Sequence, residues 1–208
     1  MRHDIKQLTN LISSTINTFA EIGSRDGHDS HYVSQYHKIN PLNVYVFEAH
    51  PTCYLNIKKS YPQFNTFNVA ITDKTGPVKF NAGIIGKESN VGISSLLDRT
   101  TKFNNFISEE VEVDGWKMED ILSHFNLEGF DLLKIDVEGA SLSVLKGFGT
   151  KLVNSKFIQI ELEYTSVWEN QSLYQEVTDF LNHLGFSIIE EVNLDNIQCD
   201  VLFKNQNK

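Results

Sequence analysis

The chain has 208 residues, 40% of them hydrophobic, and a formal net charge of −9; no linker-like or low-complexity run divides it. Such a chain can bury the core of a single domain, and its acidic balance, with no cluster of Lys and Arg, excludes nucleic acid or an anionic membrane surface as the natural partner. Cys53 and Cys199 lie far apart without a CxxC spacing, no apolar run reaches transmembrane length and no signal segment opens the chain, so reduced thiols in a cytoplasmic protein are expected.

Residues 3–16 space Ile5, Leu8, Leu11, Ile12 and Ile16 along one helical face, which predicts an amphipathic N-terminal helix on the edge of the domain. A short apolar strand at 18–22 then runs into Gly23-Ser24-Arg25-Asp26-Gly27 and a helix carrying Tyr32, Val33 and Tyr36. Glycine permits a tight turn and close approach of a ligand to the backbone, and the helix N-terminus beyond it favours negative charge. The spacing is neither the dinucleotide fingerprint nor a Walker loop. Glu21, two residues before Gly23, would repel a pyrophosphate but suits a ligand with an ammonium group.

The strand 43–47 ends in Glu48, followed by Ala49, His50 and Pro51. A carboxylate at the end of a second strand can accept both hydroxyls of a ribose; the plainer role is to cap the helix that Pro51 opens. A third strand is expected over 63–71 and a short one over 78–82, with 83–108 as an irregular lid or binding loop. Alternating acid and valine from Glu109 to Val113 predicts an exposed edge strand, and 116–125 a helix.

The stretch Asp131-Leu132-Leu133-Lys134-Ile135-Asp136-Val137-Glu138-Gly139 is the centre of the pattern. Its apolar residues predict a buried strand, so Asp136 and Glu138 at its end call for a ligand, or else for helix capping. A helix over 140–146 follows, then the strand 156–164, whose Glu161 and Glu163 share one face, then a helix over 173–184 and two strands, 186–192 and 199–203, close enough in sequence to be antiparallel. The order is β-α-β-α-β, a β-rich insert, then β-α-β-α-β-β. It predicts an α/β fold in one domain over 1–208: a Rossmann-like, doubly wound sheet, mostly parallel with an antiparallel last strand.

These motifs resemble the FkbM-type family of class I S-adenosylmethionine-dependent methyltransferases. The resemblance is carried by Phe19 to Gly27, Val46-Phe47-Glu48-Ala49-His50-Pro51, Asn68-Val69-Ala70-Ile71 and above all Leu132 to Gly139 with Val144-Leu145-Lys146-Gly147; it spans residues 17–165. It implies that Glu21, Gly23, Ser24 and Gly27 cradle the methionine part of S-adenosylmethionine, that Glu48 with Ala49 holds the ribose, that Ala70 and Ile71 pass the adenine, and that Asp136 faces the methyl group. Glu21 stands where the family more often has aspartate, and Ser24-Arg25 where a small residue and asparagine are common. The family acts mostly on hydroxyl groups, often of sugars or natural products, so a small-molecule or glycan acceptor is expected.

Removing the proton of a hydroxyl acceptor requires a base or a bound cation. Asp136 and Glu138 are the candidates, Glu161 at the next strand end is a third, and Lys134 would neutralise these acids or hold a substrate oxygen. Three converging acids also fit Mg²⁺, a lesser reading because no histidine joins them. His28 and His50 follow the two cofactor motifs and are either crevice or capping residues. A non-catalytic S-adenosylmethionine-binding regulatory or interaction protein is the alternative function; a nicotinamide oxidoreductase is disfavoured by the glycine spacing and Glu21.

Overall fold

The computed structural model describes residues 3–84, 91–103 and 107–208. In chain order the elements are α1 (His3–Asn10), β1 (Phe19–Ile22), α2 (His28–Tyr36), β2 (Val44–Phe47), α3 (Pro51–Ser60), β3 (Asn65–Phe67), β4 (Ala70–Ile71), β5 (Gly76–Gly83), β6 (Ser108–Trp116), α4 (Met118–His124), β7 (Leu132–Ile135), α5 (Ser141–Gly147), β8 (Phe157–Glu163), α6 (Tyr174–His183), β9 (Phe186–Asn193) and β10 (Gln198–Asn205). The main sheet has seven strands in the order β3-β2-β1-β7-β8-β10-β9, and a smaller one has the order β4-β6-β5.

In the main sheet β3, β2, β1, β7 and β8 run parallel, while β10 is antiparallel to both β8 and β9. The expected antiparallel last strand is present, inserted between β8 and β9. Residues of α1, α2 and α3 pack one face of the sheet in an apolar cluster with Phe19, Val44, Val46, Leu132 and Phe157. Residues of α4, α5 and α6 pack the other against Ala20, Ile22, Leu133, Ile135, Ile158 and Ile160.

Registered partners on neighbouring strands project to the same side. Glu21 pairs with Lys134, and Lys134 with Gln159, so these side chains form a polar row on the α1–α3 face. Towards the strand ends, Glu161 pairs with Asp200 and Glu163 with Gln198. Glu21, Lys134, Gln159, Glu161, Glu163 and Asp200 are all buried. An apolar sheet face thus gives way to buried charge at the carboxyl ends of its strands, where open α/β sheets bind ligands.

Three expectations need correction. The N-terminal helix stops at Asn10: Leu11 and Ile12 close tight turns onto Leu8 and Thr9, and the Ser13-Ser14-Thr15 run favours leaving the helix. Ile12 and Ile16 still enter the core, but Leu11 is exposed. The expected strand 63–71 is two strands in different sheets, separated at Asn68, whose side-chain amide donates to the Glu48 and Ala49 carbonyls. β6 is not an edge strand; it lies between β4 and β5. Of the expected 83–108 lid, 85–90 and 104–106 lie outside the described residues.

Candidate active site

Three backbone links bring the strand ends together. The Gly23 amide donates to the Phe47 carbonyl at 2.9 Å, the Asp136 amide to the Ile22 carbonyl at 2.9 Å and the Glu48 amide to the Phe67 carbonyl at 3.0 Å. The turn after β1 then crosses over Asp136. A Cβ on Gly23, whose φ is +81°, would lie 1.9 Å from the Asp136 carbonyl oxygen, so this crossing requires glycine.

Glu21 lies beneath the turn, with 0% exposure. It accepts from the Ser24 hydroxyl at 2.8 Å, from the Ser30 amide at 3.1 Å and from the Ser30 hydroxyl, and its other oxygen lies 3.4 Å from the Lys134 ammonium. It lines neither neighbouring cavity, and its bonds to Ser24 and Ser30 hold the glycine turn. Gly27 is similar: with φ +76° it starts α2 and packs on Tyr61.

Lys134 is 5% exposed and is ringed by Asp136 at 3.1 Å, Asp29 at 3.3 Å and Glu21 at 3.4 Å. Burial alone would lower the affinity of its amine for a proton; Asp136, Glu21 and Asp29 override this and hold its pKa well above the usual lysine value. One ammonium cannot balance three carboxylates. Burial accordingly pushes Glu21 up to about 7, with Lys134 only partly opposing it.

Glu48 accepts from the Arg25 amide on one oxygen and from the His50 amide on the other, each at 2.7 Å. Burial raises its pKa, and these amides offset part of the shift. His50 caps α3 through Nδ1 and meets the Gly83 carbonyl through Nε2 at 2.9 Å, so it holds the small sheet against the main one and does not line the crevice. His28 lines the polar cavity described next and lies 3.1 Å from Asp26.

Two cavities share Gly23, Arg25, Gly92 and Asp136. The first has mainly apolar walls, including Phe47, Ala70, Ile71 and Leu96, with Glu48 and Ala49 at one side. The second is polar and includes Ser24, Asp26, Asp29 and Lys134. A flat apolar base, a ribose diol and a zwitterionic tail match these walls in that order. Residues 91–96 close over both: Val91, Ser94 and Leu96 line the first cavity, and the Ser95 hydroxyl donates to the Glu138 carbonyl at 2.6 Å.

Past Asp136 the chain turns through two residues with positive φ, Glu138 at +51° and Gly139 at +85°. Gly139 is fitted against Trp168, and a Cβ there would come within 2.5 Å of the indole. Among the described residues, Asp136, Glu138 and Glu161 bring carboxylate oxygens within 4.8 Å of one another. On the far side of this centre lies a third cavity, with Arg99, Glu138, Glu163, Trp168 and Gln198 in its wall, and Gly92 lines it as well as the first two. Burial, and secondarily the charge of Asp136, push Glu163 up to about 7.

The glycine turn, the acid after β2 and the acid pair after β7 thus meet at one crevice. Comparison with known proteins decides the family: the model of the methyltransferase FkbM domain matches residues 20–188. The chain belongs to the FkbM methyltransferase family. It is therefore an S-adenosylmethionine-dependent methyltransferase. A curated relative, the 2-O-methyltransferase NoeI of Sinorhizobium fredii (strain NBRC 101917 / NGR234), is 23% identical over 96% of this chain and 84% of its own length.

Among solved structures, the FkbM methyltransferase of Methylobacillus flagellatus KT superposes with a TM-score of 0.60 at 11% identity over 94% of this chain, which spans 47% of that one. The M. capricolum TrmK structure with S-adenosylhomocysteine gives a TM-score of 0.55 at 12% identity, covering 99% of this chain and 69% of that one. The Synechocystis magnesium protoporphyrin IX methyltransferase with bound SAM gives 0.54 at 9% identity, covering 97% and 76%. These likenesses establish the class I methyltransferase fold. Among the described residues no helix is long and apolar enough to cross a membrane.

Gly23, Glu48, Ala49, Ala70, Ile71 and Asp136 all line the first cavity. Sequence spacing does not single out Ser95, Arg99 or Trp168. They reach the site from the irregular segment and the turn after β8, where no periodicity marks them.

Proposed function

We propose that this chain transfers the methyl group of S-adenosylmethionine to a hydroxyl group of a sugar or natural-product acceptor. The observation that carries this reading is the carboxylate centre of Asp136, Glu138 and Glu161, placed between the two cavities on the β1–β2 side and the third on the β8–β10 side. The name of the relative NoeI, a 2-O-methyltransferase, supports oxygen as the atom methylated.

When bound, the cofactor supplies a methyl group on a positively charged sulfonium. The residues present fit it: the apolar cavity takes the adenine along Ala70 and Ile71, Glu48 accepts the ribose hydroxyls on lone pairs left by its two amides, and the polar cavity takes the methionine end. There Asp29 and Asp136 suit the ammonium, and Lys134 with the Ser24 turn suits the carboxylate. Glu21 and Gly27 act one step back by fixing the turn.

At the centre, Asp136 is held by Lys134 and faces the methyl region, where its charge favours the sulfonium's approach. The acids beside it orient the acceptor hydroxyl and one of them accepts its proton, so positioning and proton removal supply most of the rate. The test is transfer of labelled methyl from S-adenosylmethionine to a panel of hydroxyl compounds. Asp136→Ala is expected to lose on the order of 10²–10⁴-fold in turnover while its circular dichroism and melting stay native. Full activity in that variant would remove Asp136 from the mechanism.

A further inference from the structure

The third cavity has a volume of about 190 Å³ and a wall that combines charge, amide and aromatic groups. It is assembled from segments distant in sequence. The 98–100 segment is tied to 167–169: the Thr100 amide donates to the Val167 carbonyl at 3.1 Å and the Glu169 amide to the Asp98 carbonyl at 2.8 Å. This places the Arg99 guanidinium over the Trp168 ring at 4.1 Å from its centroid. Gln198 and Asp195 come from the β9–β10 hairpin, with Gln198 also 3.4 Å from Glu161. Glu138 comes from the turn after β7, and Glu163 ends β8.

Among the described residues that line it, the acids Glu138, Glu163 and Asp195 outnumber the cation Arg99. Such a wall repels a phosphate or carboxylate and rewards groups that donate hydrogen bonds, which an uncharged polyol offers in quantity. The carboxylates at the centre and Glu163 beside it are not equivalent either. Asp136 is engaged by the Lys134 ammonium and Glu161 by the Gln198 amide. Glu163 is 2% exposed and lines the cavity itself.

Resting on the O-methylation reading, we propose that this cavity is the acceptor subsite, that it takes an uncharged polyhydroxy compound in preference to its phosphate ester, and that Glu163 accepts the proton of the reacting hydroxyl. The acceptor oxygen forms its bond to the methyl carbon as the carbon–sulfur bond breaks, with that electron pair passing to sulfur and the hydroxyl proton to the Glu163 carboxylate. Burial keeps this carboxylate more basic than an ordinary one, while the Gly139 amide and Arg99 keep it within reach of the charged form near neutrality. The titratable groups around it are Asp136 and Glu138 from the central turn, Arg99 from the irregular segment, Glu161 on its own strand, and Asp195 and Asp200 from the last hairpin.

The chain has two tryptophans, so Trp116→Phe, changing a residue on β6 that is not in this cavity's wall, leaves Trp168 as the single tryptophan reporter. Neutral methyl hexosides and the corresponding hexose 6-phosphates are titrated into this protein saturated with S-adenosylhomocysteine. A saturable change with at least one neutral glycoside is expected, and a response at least tenfold weaker with its phosphate. An equal or stronger phosphate response, or no response to any neutral glycoside, overturns the subsite.

With the glycoside that binds best, Glu163→Gln should bind it within about threefold of the parent yet transfer labelled methyl about a hundredfold more slowly. The parent rate at saturation should rise with pH through about 7 and level above it. Undiminished transfer to a hydroxyl in Glu163→Gln would discard Glu163 as the base and leave O-methylation standing. Methyl transfer confined to nitrogen or carbon acceptors would discard both.

Discussion

On the β1–β2 side of Asp136 the crevice is formed by turns held through their backbones; on the β8–β10 side it is formed by side chains gathered from four separate segments. Gly23, Arg25, Glu48 and His50 are fixed by hydrogen bonds from backbone amides at 2.7–2.9 Å within one β-α-β unit. Arg99, Glu138, Glu163, Trp168 and Gln198 meet only because the irregular segment, the central turn, β8 and the last hairpin all converge there. The first arrangement suits a constant ligand, whose adenine, ribose and methionine never change. The second can be altered residue by residue without disturbing the first.

Lys134 holds Asp136, the boundary between the halves, and its loss should have the largest effect on the protein as a whole. Lys134→Met would leave Glu21, Asp29 and Asp136 without their shared ammonium. Breaking a buried ion pair by removing one partner costs about 3–5 kcal/mol, so chemical denaturation should show a loss of this size and both halves should weaken together. Loss of transfer with unchanged stability would mean that the acids carry their charge without it.

Glu163→Gln should separate the halves in the opposite direction. An acid whose folded pKa is raised destabilises the fold as it ionises, a cost that begins near its unfolded value of 4.5 and is complete above about 7. The variant should therefore melt like the parent near pH 4 and a few degrees higher at pH 8, corresponding to roughly 1–3 kcal/mol. A lower melting temperature at pH 8 would mean that the charged form is stabilised more than its burial opposes it. The smallest effect is expected from chelation. Lys134 and the sulfonium already supply positive charge at the carboxylate centre, so EDTA should leave the rate unchanged; a loss restored by Mg²⁺ would assign Asp136, Glu138 and Glu161 to a cation instead.

The same contrast governs what could be read in the sequence. Short-range patterns carry the cofactor half: a glycine turn after one strand, an acid after the next, and Asp136 after the central one. Even there, Glu21 lies under the loop with one oxygen held by serines at positions 24 and 30 from within the turn, which charge alone does not reveal. The mostly parallel sheet with its antiparallel last strand also followed from the alternation of elements. The split at Asn68 did not, because it depends on side-chain bonds to carbonyls about twenty residues earlier in the chain. Arg99 and Trp168 were silent because their meeting depends on a two-residue bridge between loops.

The division of labour between the two halves is tested most directly by calorimetric titration of S-adenosylhomocysteine into the parent, Glu48→Ala and Glu163→Gln proteins. One site per chain is expected in the parent, an affinity roughly 10–100-fold weaker in Glu48→Ala, and an unchanged affinity in Glu163→Gln. Absence of binding to the parent, or equal weakening by both substitutions, would contradict a cofactor site confined to the β1–β2 side of Asp136.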